Sequence, residues 1–159
     1  MVNLRYAKDS DFEFLIEALE QVRTIERRPA KDIPANEADK QRYRQAIDDR
    51  RIRIAEDGPE PVACLHFRTN FTVMLVHEPF FWIDLVFVRA SHRGKGLGRL
   101  LYEDAMRIAK EQGFEKILLD VFAVNKRSQR FHRRLGFEPL YTIYQMQLQD
   151  KADGKNNHA

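Results

Sequence analysis

The sequence predicts an α/β (α+β) domain whose sheet is mixed and mostly antiparallel, and three patterns carry that expectation. Ile52 and Ile54 alternate with Arg51 and Arg53, Asp57-Gly58-Pro59 supplies a turn, and Ala63, Leu65 and Phe67 resume the alternation of an antiparallel hairpin. The apolar runs Phe81 to Val88 and Ile117 to Phe122 enclose a helix-period stretch, Leu97, Leu100, Leu101, Ala105 and Ile108. Strand, helix and strand in that order imply a parallel pair with a right-handed crossover. Two more helical stretches near the N-terminus supply layers to cover the sheet.

In chain order, Leu4-Arg5-Tyr6 reads as a first strand, and Asp9-Ser10-Asp11 as the cap of a helix with Phe12, Leu15, Ile16 and Leu19 on one face. Pro29 and Pro34 break the pattern between Arg27 and Ala38, and a second helix is expected from about Ala38 to Arg50. The hairpin follows, its second strand continuing through Phe71, Val73 and Leu75 until Pro79. Gly113 is placed to end the helix that begins after the glycine-rich segment. Ile117-Leu118-Leu119-Asp120-Val121-Phe122 is nearly continuous in apolar residues, as in a strand covered on both faces. Tyr144, Met146 and Leu148 alternate with Gln145 and Gln147 and suggest a last strand. Residues 1–150 read as one domain, and Lys151 to Ala159, polar and without large apolar residues, as a disordered tail.

The chain has 159 residues, enough for one ordinary core, with 43% hydrophobic and 32% charged residues, which is a globular balance. No apolar run approaches the roughly 20 residues of a membrane span, and Met1-Val2-Asn3-Leu4-Arg5 lacks a signal-peptide pattern. A single cysteine, Cys64, excludes an internal disulfide and suits a reducing cytoplasm, the expected location. With no base in a recognisable motif beside it, Cys64 reads as a buried apolar residue. No His, Cys or acidic spacing suggests a metal site. Net charge is +3, but Arg and Lys concentrate between Arg89 and Arg99 and between Lys126 and Arg134. That clustering attracts a polyanionic ligand. Without interleaved exposed aromatics, nucleic acid is the weaker account of it.

The chemistry concentrates in Arg93-Gly94-Lys95-Gly96-Leu97-Gly98, which joins the run ending at Val88 to the following helix. Glycines at a helix start let a ligand approach backbone N–H groups without meeting a Cβ, and unpaired N–H groups with the helix dipole favour phosphate there. No G-x-x-x-x-G-K-[ST] string occurs, so a nucleotide triphosphatase has little support. A dinucleotide fingerprint fails at its third glycine, which is Arg99, although Asp120 lies at a suggestive distance. What fits is R-x-x-G-x-G after a strand. A second element follows: Asn125-Lys126-Arg127-Ser128-Gln129-Arg130-Phe131-His132, leading into Leu135-Gly136-Phe137.

Together these two elements resemble the GNAT superfamily of acetyl-CoA-dependent N-acetyltransferases, strongly from Trp82 to Phe137 and only by element order before that. The resemblance implies a sheet splayed around the cofactor and a dimer as a family-level expectation. It also implies that the backbone amides of Gly94, Gly96, Leu97, Gly98 and Arg99 bind the diphosphate of coenzyme A, with Arg93 or Lys95 adding charge. Pantetheine would lie along the strand as an added strand would, and the N–H of Phe87 or Val88 would polarise the thioester carbonyl. Asn125 would bind pantetheine or an ordered water while capping its helix, and Ser128 would face the cofactor or the core.

Direct transfer needs a neutral amine, so a base must remove a proton from an ammonium of pKa about 10. Asp84 matches a strand position that is acidic in several relatives, and Glu56 at the end of the hairpin strand is the second candidate. The departing thiolate is helped by a proton, which much of the family takes from a Tyr on the last helix. Here the position is His132, which resembles the Leu-His or Met-His of phosphinothricin-type amino-acid acetyltransferases and can donate near neutral pH. Tyr141 and Tyr144 are the substitutes. Phe80, Phe81 and Trp82 could wall an acceptor or simply pack in the core. The implied activity is acetyl transfer to a primary amine of a small molecule, of amino-acid or polyamine type. A protein acceptor, and a non-catalytic acyl-CoA sensor, are the rivals.

Overall fold

Five strands follow one another in a single sheet of order β1-β2-β3-β4-β5: Val2–Tyr6, Ile52–Asp57, Glu60–Arg68, Phe81–Val88 and Ile117–Leu118. The computed structural model describes residues 1–26, 34–69 and 79–146. Neighbouring strands are antiparallel from β1 to β4, and β4 pairs with β5 in parallel. The mixed sheet read from the sequence is therefore the sheet observed.

Helices α1 (Phe12–Glu26) and α2 (Glu37–Asp48) cover one face. Leu15, Ala18, Tyr43 and Ile47 pack there on Ile52, Ile54, Cys64, Leu85 and Phe87. Helix α3 (Leu97–Glu111) covers the other face, setting Leu97, Leu101, Tyr102, Ala105 and Ile108 against Ala55, Ala63, Leu65, Phe67, Phe81 and Ile83. Such apolar stripes supply the main drive for the fold, at about 25 cal/mol per Å² removed from water. Helix α4 (Lys126–Arg134) lies beyond β5.

Ion pairs fix how the layers meet. Arg23 holds Asp39 through two bonds of 2.8 Å, joining α1 to α2, and Arg53 Nε on β2 reaches Asp104 Oδ2 of α3 at 2.5 Å with both residues buried. Asn36 caps α2 by accepting from the Asp39 N–H, which sets its start at Glu37. Asp9–Asp11 forms a single 3₁₀ turn before α1, and the Asp11 carboxylate accepts from the Lys8 N–H and from Arg5.

Two expectations are corrected. Strand β5 has two residues, half-buried, where a covered strand through Phe122 was expected; Phe122 is 44% exposed. Its ladder ends because β4 bends away, as described below. Residues 138–146 form no strand, and Ile143, Tyr144 and Met146 are at least 80% exposed. Alternation alone does not make a strand without an edge to pair with. Leu148, the run Phe71 to Leu75 and the tail from Lys151 lie outside the described residues.

Candidate active site

A bulge in β4 opens the site. His66 pairs with Leu85 and the next residue, Phe67, pairs with Ile83, so Asp84 is the extra residue. A bulge bends its strand, strengthens the local twist and re-aims side chains. The parallel ladder between β4 and β5 has two rungs, Phe81 with Ile117 and Trp82 with Leu118, and stops just before this bend. Beyond it the strands part around a cleft of about 840 Å³. Asp84 and Asp120, each two residues past the last rung, both line it.

At the far end of the cleft, Gly94 and Gly96 adopt φ of +79° and +83°, a left-handed backbone that disfavours side chains. Gly96 is the N-cap of α3 and offers no side-chain bond; the first helical bond runs from Leu100 N to Gly96 O. The N–H groups of Leu97, Gly98 and Arg99 are thus the uncapped donors of a helix start, and all three residues line the cleft. This is a ready anion cradle. Arg93 lines it too, with Nε 3.0 Å from Val88 O. Lys95 is exposed and lies outside the lining residues, so of the two cations expected here the fold brings only Arg93 to the cleft. At Gly98 a Cβ would stand 3.3 Å from Phe131 Cζ, so this glycine serves the close approach of α4 to α3.

The strand edge facing the cleft can be assigned from the ladder. Arg89 N donates to Val62 O, and in an antiparallel pair alternate residues turn their backbone groups to the same side. Phe87, opposite Cys64, therefore directs its N–H at β3, while Val86 and Val88 present theirs to the cleft. Of the two donors expected from the sequence, only Val88 faces the open edge, and Val86 joins it.

On the opposite wall, Asn125 Oδ1 accepts from the Ser128 N–H at 3.1 Å and caps α4. Ser128 Oγ is 3.3 Å from His132 Nδ1, and His132 Nε2 contacts the hydroxyl of Tyr102, a residue 2% exposed on α3. All four line the cleft. Burial lowers the His132 pKa against a smaller opposing effect of the Ser128 backbone. Burial raises the Tyr102 phenol. Tyr102 was not singled out in the sequence, because on α3 it reads as one more residue of the apolar face.

The acidic candidates separate. Burial works to raise the Asp84 carboxyl, but His66 Nδ1 at 3.2 Å and the guanidinium of Arg68 outweigh it and hold the pKa to about 2. Asp120, noticed in the sequence only as part of a failed dinucleotide fingerprint, is an exposed residue at the cleft whose carboxyl is raised by desolvation and by the charge of Asp84, with a hydrogen bond to its own backbone and Arg68 opposing. The fold does not bring Glu56 to the cleft: its carboxylate binds Asn3 and Arg5 at the β1–β2 edge, and it is absent from the lining. Phe80, Phe81 and Trp82 are buried core residues rather than cleft walls. Tyr141 and Tyr144 are exposed and outside the lining. Among the described residues no helix is long and apolar enough to cross a membrane.

Comparison with known proteins gives the chain its family and its fold. The chain is similar to a streptothricin acetyltransferase of Streptomyces lavendulae, 40% identical over 55 residues, which are 35% of this chain and 29% of that one. It is also similar to an uncharacterised N-acetyltransferase of Methanocaldococcus jannaschii, 31% identical over 85 residues, 54% of this chain and 38% of that one. The chain's matches thus span well under half the length of these curated relatives. The fold is that of an aminoglycoside N-acetyltransferase solved in complex with CoA, with a TM-score of 0.72 and 16% identity over 94% of this chain and 96% of that one. The model of the acetyltransferase (GNAT) family, whose members use acetyl-CoA, matches residues 16–137, and the chain belongs to that family.

Proposed function

We propose that this protein transfers the acetyl group of acetyl-CoA to a primary amine of a small molecule, of amino-acid or polyamine type. The carrying observation is the cleft itself, with uncapped helix N–H groups at one end and two carboxylates, Asp84 and Asp120, at the other. An anion-binding end and a cation-binding end on one groove suit a phosphorylated donor and an ammonium acceptor. Relatives named for streptothricin and aminoglycosides support an acceptor of this type.

The residues present fit the cofactor. Gly94 and Gly96 keep the turn free of side chains, the Leu97–Arg99 N–H groups and Arg93 offer charge for a diphosphate, and the Val86 and Val88 N–H groups can bind an extended pantetheine arm. Bound acetyl-CoA supplies an activated acyl group on a thioester.

The chain's own groups then divide the work. Asp84, kept anionic by His66 and Arg68, holds the acceptor ammonium. Asp120, whose raised pKa makes it the stronger base, takes the proton that frees the amine. The cleft-facing N–H of Val86 or Val88 polarises the carbonyl under attack. The far wall, where Ser128 Oγ meets His132 Nδ1, helps the sulfur leave, and the proton removed from the amine balances the one the thiol gains. Thiol release from acetyl-CoA across a panel of amino acids, diamines, polyamines and peptides tests this. Release with the small amines is expected; cofactor binding with no release for any amine would overturn the reading.

A further inference from the structure

We propose that Tyr102 is a positioning residue that fixes His132 as its Nδ1–H tautomer and so directs the hydroxyl of Ser128 into the cleft as a donor. The contacts form a chain: Tyr102 Oη to His132 Nε2, then His132 Nδ1 to Ser128 Oγ at 3.3 Å. Both ring nitrogens are engaged, so neither is left to reach a substrate directly.

The direction of the chain follows from which group must donate. Tyr102 is 2% exposed, and among the described residues Nε2 is its hydroxyl's one hydrogen-bond partner. A buried phenol keeps its proton, and an O–H left unpaired in that setting loses a hydrogen bond to water without replacement. Its proton is therefore directed at Nε2, which must be the bare nitrogen. The ring proton then sits on Nδ1 and donates to Ser128 Oγ. With a lone pair so occupied, the Ser128 hydroxyl keeps its own hydrogen for a group in the cleft, which both Ser128 and His132 line.

Aromatic packing holds the chain in place. The Tyr102 ring meets His132, Phe131 and Phe137 edge-on at centroid distances of 5.2, 5.6 and 5.8 Å. Because α3 carries both Tyr102 and the anion cradle, and α4 carries His132 and Ser128, the packing of α4 on α3 sets the donor and the cradle in one frame. The developing charge on the leaving sulfur would then meet the Ser128 O–H rather than an imidazole nitrogen. This consequence rests on the proposed acetyl transfer; the tautomer does not.

The two are separated by ¹⁵N NMR of the full chain labelled at histidine. His132 is expected to show a protonated Nδ1 and a bare Nε2, the reverse of the ordinary neutral tautomer, and Tyr102→Phe to move it towards Nε2–H. In turnover, Tyr102→Phe and Ser128→Ala should each lower kcat roughly ten- to a hundredfold with KM for acetyl-CoA little changed, and the double variant should fall no further than the worse single one. A wild-type His132 protonated at Nε2 would overturn the proposal. So would a Tyr102→Phe variant with the tautomer and kcat of the parent, or full additivity in the double variant.

Discussion

Trp82 and Leu118 form the last rung between β4 and β5, and two residues beyond that rung on either strand stand Asp84 and Asp120. The fork of the sheet and the acidic end of the cleft are thus one feature. The bulge that parts the strands is also what frees Asp84 from regular alternation.

Asp84 links the site to acid stability. Its folded pKa of about 2 lies below the usual 3.8, so its stabilisation is present above the unfolded value and is lost as pH falls from about 4 through 2. The shift corresponds to about 2 kcal/mol. Urea denaturation between pH 2 and 6 should show this slope in the parent and a shallower one in Asp84→Asn, and identical slopes would remove the role given to His66 and Arg68.

Asp120 should leave its mark on the rate. A raised carboxyl pKa places the acidic limb of kcat/KM above the range of a free carboxylate. Asp120→Asn should lose roughly a hundredfold in kcat and recover in part at high pH, where more of the amine is already neutral. A profile unchanged by the substitution would assign the base elsewhere.

Replacing His132 with Phe should reduce kcat by about a hundredfold while leaving the affinity for CoA, read by calorimetry, near that of the parent. The uncapped N–H groups that hold the diphosphate belong to α3, not α4. Unaltered turnover would remove His132 and its partners from the reaction.

Gly96→Ala tests the cradle. A Cβ at φ +83° meets no atom within 4 Å, so the strain is conformational, about 1–2 kcal/mol. A melting temperature lowered by several degrees and weaker CoA binding are expected together. Loss of stability with undiminished binding would separate the turn from the ligand.

Asp104→Asn should cost about 3 kcal/mol, because it leaves the Arg53 guanidinium buried beneath α3 without its anion. Chemical denaturation checks this. Equal stability would mean that Arg53 finds another partner.

The sequence by itself determined what depends on local pattern. Alternation placed β2 and β3, a nearly continuous apolar run placed β4, apolar periodicity placed α1 and α3, and the spacing of Gly94, Gly96 and Asn125 located the turn and the cap, because backbone freedom at glycine and the reach of an Asn side chain are properties of a few consecutive residues. Only the tertiary structure decided what depends on partners from distant segments. It gave Glu56 to Arg5, turned the Phe87 N–H towards β3, brought Tyr102 to His132 across thirty residues, set Asp120 opposite Asp84, and left residues 138–146 without the strand their alternation suggested. Charge pairing, ladder parity and strand edges are settled only when the sheet assembles, so no local pattern could contain them.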